Sequence, residues 1–305
     1  MDLVVIQLLN GLQLGILLFL LASGLTLTFG IMDFVNLAHG AFYMVGAFVC
    51  ASLTFWTGSF LLAVLIAIPV TAAVGLATEA LAVRHLYARN HLDHVLATFG
   101  LILVFDTLVQ LVWGPAGIAV PLPAWLDGQT TLPGGLIVPT FRLAIIVAGL
   151  AIAVGLYLLV HRTRIGMLIR AGASNRVMVG ALGVDIKTLF AGVFALGAAL
   201  AGVAGMLIAP ITEASIGMGN EIIITAFVVI IIGGIGSMKG AFLAALMIGL
   251  IDTMGRAFLD DAFKLVMPVN AAETAAPAIS AMLIYLLMAA ILVVRPEGLF
   301  PPKVR

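Results

Sequence analysis

The chain predicts an all-α, polytopic membrane protein of about nine spans, and three observations lead there. Hydrophobic residues fill 63% of its 305 positions and charged residues 9%, with a mean hydropathy of +1.26. A soluble domain is roughly 45–50% apolar and about 25% charged, so this chain has too little charge to cover a water-facing surface. The apolar residues are also gathered into runs of about 20, the length that crosses a hydrocarbon core about 30 Å thick. Finally, the few basic residues fall on short connections between those runs.

The first run, 6–30, follows MDLVVIQLLNGLQL, which has no Lys or Arg ahead of it. The basic region of a secretory signal is missing, so this run reads as a retained span. Further spans are predicted at 36–55, 59–83, 93–113, 141–160 and 188–209, then at 222–235, 240–258 and 277–294. The pair 222–235 and 240–258 is separated by the glycine-rich GGIGSMKG. Read as one helix, 222–258 would measure about 55 Å at 1.5 Å per residue, more than one crossing requires. Two short crossings are expected instead.

Positive charge is retained on the cytoplasmic side of short loops. Arg84 and Arg89, then Arg162, Arg164, Arg170, Arg176 and Lys187, then Arg295, Lys303 and Arg305 mark three cytoplasmic stretches. The proline-rich segment 114–140 has no Lys or Arg and is expected outside, as is 210–221 with Glu213 and Glu221. Nine spans then place the amino terminus outside and the carboxyl terminus in the cytoplasm. The whole chain, 1–305, reads as one transmembrane domain.

Fourteen basic and 14 acidic residues cancel, which excludes a broad basic face for nucleic acid. The single cysteine, Cys50, excludes an intramolecular disulfide and reads as packing inside a span. His85, His91 and His94 lie near Asp93, but a short loop of ordinary polarity reads as solvated histidines, and no metal site is expected. GGIGSMKG lacks the Gly-Lys-Ser/Thr of a phosphate-binding loop, so no nucleotide is expected on this chain.

Two stretches break the apolar pattern: GIMDFVNLAHGAF (30–42) and GGIGSMKGAF (233–242). Both end in Gly-Ala-Phe, and each lies between apolar helices in an opposite half of the chain. Paired, Gly-interrupted hydrophobic segments point to a transporter's substrate site. Asp33, Asn36, His39, Gly40, Gly234, Gly236 and Gly240 are therefore candidates for a substrate pathway. The competing reading makes 33–39 an interfacial turn in which Asn36 caps the next helix. Asp106 lies within a span and either serves the pathway or hydrogen-bonds between helices. Glu79 is expected to reach the interface beside Arg84, and Asp252 is a further intramembrane charge. The basic loop 162–187 intersperses Met167, Leu168, Val177, Met178, Val179, Leu182 and Val184 with its arginines. It is expected to dock as a short helix on a soluble partner.

QLLNGLQLGILLFLLASGLTLTFGIMDFVNLAHGAFYMVGAF resembles the opening of the LivH-type permeases of branched-chain amino acid ABC importers. The stretch from Gly166 to Ala171, GGIGSMKGAF and the terminal RPEGLF (295–300) resemble that family too, so the likeness runs over essentially the whole chain. It implies a non-catalytic permease of the bacterial inner (plasma) membrane, surrounded by lipid. The implied partners are a second homologous permease, two cytoplasmic ATPases that bind ATP-Mg, and an external (periplasmic) substrate-binding protein. It also implies that Gly166, Arg170, Ala171, Asn175 and Gly183 belong to the ATPase-docking element. The family's acidic residue four to five positions after the arginine is replaced here by Ser174-Asn175. Similar scaffolds carry urea and short amides or other small solutes, and a stand-alone secondary carrier is the remaining alternative.

Overall fold

A computed structural model describes residues 2–131 and 135–300. Among these, every predicted span has a helix. They are α1 (Asp2–Met32), α2 (His39–Thr57), α3 (Phe60–Leu81), α4 (His91–Trp113), α5 (Thr140–Arg162), α7 (Ile186–Thr212), α8 (Met218–Gly233), α9 (Met238–Lys264) and α10 (Val269–Val294). The tenth helix, α6 (Arg164–Ala181), occupies the basic loop. Eight are long and apolar enough to cross a membrane, and α8 is a shorter apolar helix. Residues 222–258 divide into α8 and α9, as their combined length requires.

Several boundaries differ from the hydropathy reading. The expected loop 210–221 shrinks to 213–217, and α10 begins at Val269 rather than 277. Charged or polar residues extend helices past an apolar core, where hydropathy loses them. The segment 114–140 contains a small antiparallel hairpin, β1 (Gln129–Thr131) with β2 (Ile137–Pro139).

In lipid no hydrophobic force drives helix against helix, so small residues that allow close backbones set the packing. α1 is the central post: 83% of its apolar window is buried, against 11% for the peripheral α10. Gly11 and Gly15 of α1 meet Leu250, Ala245 and Leu246 of α9, and Gly24 meets Gly197 of α7. Gly46 of α2 lies on Gly202 of α7, whose other side faces Thr71 of α3. Helices α1, α2, α7 and α9 thus form a tight inner cluster, with α3, α4, α5 and α10 outside it.

The bundle has two unlike ends. The turn 82–90, helix α6, the α8–α9 turn and the tail after α10 share one end, which carries Arg84, Arg89, Arg162, Arg164, Arg170 and Arg176. The hairpin, the start of α1 and the 213–217 link share the other, where Arg142 donates to Asn10 and Ile118 pairs with Ala214. Lys303 and Arg305, counted in the predicted basic tail, lie outside the described residues.

Candidate transport pathway and docking helix

The chain between α1 and α2 is unwound and buried. Phe34 and Asn36 are fully buried, and Ala38 is 1% exposed. The Leu37 amide donates to Thr98 Oγ1 of α4 at 3.2 Å, and the Phe34 ring lies 4.4 Å from that of His94. Thr98 is seven residues along α4 from His91, or roughly 10 Å of helix rise. At the head of α2, His39 Nε2 lies 3.1 Å from the Leu21 carbonyl, eleven residues (roughly 16 Å) above the end of α1. The segment therefore climbs back into membrane depth, where irregular backbone survives only inside protein. Asn36 does not cap α2, for Ala38 holds that position without a side-chain bond. Its whole carboxamide has no protein partner. Asp33 is different: exposed at the basic end in a left-handed conformation (φ 53°), it lies 4.0 Å from His91.

The second break is a tight turn. Gly234 (φ 99°) and Gly236 (φ 80°) adopt conformations that side chains resist, and Ser237 Oγ accepts from Gly240 N at 3.2 Å to start α9. The RPEGLF tail returns to this turn, with Leu299 N donating to Ile232 O (2.8 Å) and Phe300 N to Gly233 O (3.1 Å). A Cβ on Gly30 would come within 3.1 Å of Gly236. Both breaks thus converge at the basic end, where Asp33, Arg170, Asn175, Arg176 and Gly236 line a cleft of about 850 Å³.

Not all the predicted pathway residues share that cleft. Gly40 and Gly240 are packing positions: a Cβ on the first would strike Gly219 of α8, and on the second Gly233. Asp106 accepts from Asn220 Nδ2 of α8 at 2.9 Å, the inter-helix hydrogen bond of its two readings. Asn220 was hidden in the expected loop 210–221.

Glu79, a further intramembrane charge, is paired. Glu79 is fully buried and accepts from Arg84 (2.9 Å), as expected, and also from the Tyr87 hydroxyl (2.6 Å). Burial and this bond push the Tyr87 phenol up. Of the loop histidines, His94 corrects the solvated reading: it is buried in α4, with Nε2 3.0 Å from the Leu86 carbonyl. Cys50 is buried as packing.

Helix α6 bends at Asn175, which leaves helical geometry (φ −157°, ψ 92°). Its Oδ1 accepts from Met178 N at 2.9 Å, starting a second short helix. An acidic side chain can accept this cap bond too, so the Ser174-Asn175 departure preserves the bend. Gly166 packs on the last turn of α5, and Arg170 donates to the Val160 carbonyl there. Ala171 is half-buried, and Gly183 (φ 87°) turns the chain toward α7. At the head of α7, Asp185 accepts from Lys187 N (3.0 Å) and Thr188 Oγ1 (2.5 Å), bonds that hold its carboxyl below the usual range. Val177, Met178 and Leu182 remain exposed, a bare apolar stripe among arginines.

A second cavity, of about 660 Å³, opens at the hairpin end. It runs from Thr212, Ser215 and Met218 down to Leu18, Tyr43 and Ile284. Asp252, Arg256, Glu221 and Tyr285 line its wall. Arg256 and Tyr285 escaped notice in the sequence, although an acid and a base four residues apart inside one span are a legible signal. Along α1 the cavity ends at Leu18 and the basic-end cleft begins at Phe29, a partition of roughly 16 Å. Leu20, Leu21, Ala22 and Leu25 of α1, all fully buried, lie within it.

Two opposed cavities separated by a packed partition, in a bundle of membrane-crossing helices, define a polytopic membrane permease. Residues 7–292 match the family described as branched-chain amino acid transport system / permease component, and the chain belongs to it. The high-affinity branched-chain amino acid transport system permease protein BraD of Pseudomonas aeruginosa is 32% identical over 271 residues, covering 85% of this chain and 88% of that one. The permease protein LivH of Escherichia coli K12 is 30% identical over 275 residues with the same coverage. A probable LivH of Methanocaldococcus jannaschii is 30% identical over 263 residues, covering 81% and 79%. No solved structure matches. The protein is thus a multi-pass inner-membrane permease component of a transport system.

Proposed function

We propose that this chain is the membrane-spanning subunit of an ATP-driven (ABC) importer for branched-chain or related amino acids, working by alternating access. The observation that carries this is the packed partition between the hairpin-end cavity and the basic-end cleft. Each mouth is open to its own side, and the path between them is closed. With the basic end cytoplasmic, as its arginines favour, the hairpin-end cavity faces outward to receive substrate from an external binding protein.

Two cytoplasmic ATPases dock on α6 through Val177, Met178 and Leu182, and they hold the ATP-Mg. A second homologous permease completes the membrane unit. Because Arg170 and Gly166 tie α6 to the last turn of α5, a push on α6 reaches the bundle directly. The unwound 33–38 segment and the Gly234–Gly236 turn are the places where backbone can yield without breaking a helix. Asn36 lies on the unwound segment and His39 begins the helix that follows it, while Asp33 and Gly236 line the cytoplasmic mouth.

Reconstitution of this chain in proteoliposomes, with and without its partners, tests the proposal. L-leucine uptake should require the ATPases, the binding protein and ATP. Ion-driven uptake by the chain alone would overturn it in favour of a secondary carrier. Met178→Glu should leave assembly of the permease pair intact while uncoupling ATP hydrolysis from uptake, since Met178 is exposed and α6 keeps its caps.

A further inference from the structure

The hairpin-end cavity holds an arrangement that the transport reading does not require. Asp252 is nearly enclosed, its side chain 15% exposed, while that of Arg256 is 66% exposed. The Arg256 Nε donates to both Asp252 carboxylate oxygens at 3.0 Å. That contact uses one of five guanidinium N–H groups. Both terminal nitrogens make no hydrogen bond among the described residues, and they carry a forked donor pair of the kind that matches a carboxylate. Glu221, on α8 across the cavity, supplies an acceptor with no hydrogen-bond partner there, and Tyr285 adds a phenol. The remaining wall is aliphatic, with Leu14, Leu17, Ile222, Ile248 and Ile284.

A fork for a carboxylate, acids for an ammonium and an aliphatic wall together describe one class of ligand. We infer that this cavity is a binding site for a zwitterionic α-amino acid with an aliphatic side chain. Its carboxylate sits on the Arg256 fork, its ammonium on Glu221 and the Asp252 carboxylate, and its side chain on Leu14, Ile248 and Ile284. The volume, about 660 Å³, lies in the range of roughly 300–1,000 Å³ usual for small-molecule sites. A neutral amide would leave the guanidinium without its charged partner. A carboxylate without an amine would bring a third negative charge beside Asp252 and Glu221. The site therefore selects against both. This inference rests on the amino-acid reading above and adds where within this chain the substrate is held.

Thiol protection tests it on the assembled transporter in proteoliposomes, without the binding protein. Cys50 is the only cysteine and is buried, so a Tyr285→Cys variant carries one reactive thiol. L-leucine should slow modification of that thiol, whereas leucinamide and 4-methylvalerate should protect it at least about tenfold less well, as loss of a charge-assisted bond implies. Adding Arg256→Gln should weaken protection by leucine by at least about tenfold and erase its advantage over leucinamide. Arg256→Lys should restore part of it, which loss of folding would not. Equal protection by all three compounds, or protection by leucine that ignores Arg256→Gln, would overturn the site. So would the absence of protection at millimolar leucine. ATP-driven leucine uptake in parallel vesicles, with the binding protein present, separates the two claims. Uptake without protection sinks the site and leaves the transport reading standing. Absence of both sinks both.

Discussion

Gly40→Ala is a one-methyl perturbation whose cost can be worked from the structure. A Cβ at Gly40 would overlap Gly219 O, lie 2.9 Å from Gly219 C and 3.1 Å from Ile223 Cβ. Ordinary contact begins near 3.4 Å, so α2 and α8 must separate, and backbone on both sides leaves no flexible side chain to give way. Overpacking of this kind costs about 1–3 kcal/mol. A gap of 0.5–1 Å along the rest of the contact forfeits about a quarter to a half of each dispersion well. Alanine's better helix propensity returns at most about 1 kcal/mol, and less at the second residue of a helix. The expected net is a loss of about 1–2 kcal/mol. Gly100→Ala is the control, since nothing lies within 4 Å of its added methyl. There propensity acts alone, and stability should hold or rise by up to about 1 kcal/mol. Unfolding of purified protein in mixed micelles, followed by circular dichroism, compares the two. Gly40 also heads the helix joined to the unwound segment, so uptake should fall in Gly40→Ala and not in Gly100→Ala. Equal stability of the two variants would refute the close-packing role.

Tyr87→Phe should destabilise by about 1.5–3 kcal/mol because it removes a hydrogen bond to a fully buried carboxylate. Arg84→Ala should also destabilise, because it leaves the fully buried Glu79 carboxylate without its counter-charge; the same micelle unfolding measures both. Asn175→Ala should speed hydrogen exchange about fivefold in the second half of α6, the effect of losing a cap worth about 1 kcal/mol, while Asn175→Asp preserves protection. A double-mutant cycle on Asp106→Ala and Asn220→Ala should show coupling near 1 kcal/mol, with substrate preference in uptake unchanged.

What the sequence made legible follows from which signals survive in one dimension. Hydropathy located every span because spanning length and apolarity are local properties. The α8–α9 division followed from helix length alone. The two glycine-rich breaks were visible, yet their separate characters were not. Whether Gly40 lines a path or seats a helix depends on Gly219, which lies 179 positions away in the chain. Asp106 stood without a partner because Asn220 belongs to a helix whose polar first turn escaped the hydropathy window. His94 seemed solvated because nothing local announces that Phe34 will cover it. The cavity wall was the least legible feature, being assembled from α1, α2 and α7 through α10. Only the Asp252–Arg256 spacing could have pointed to it.

The most direct test of alternating access uses two single-thiol variants of the complete transporter in sealed proteoliposomes of defined orientation. Tyr285→Cys reports on the hairpin-end cavity, and Ile31→Cys, at a buried position on the wall of the basic-end cleft, reports on that cleft. With impermeant thiol reagents added from either side, ATP with the loaded binding protein should change the two reactivities in opposite directions. Tyr285→Cys should react from outside in the resting state and lose that reactivity when the cavity closes, while Ile31→Cys gains it from the cytoplasmic side. Reactivities that stay fixed under ATP, or that rise together as in an open channel, would contradict the mechanism.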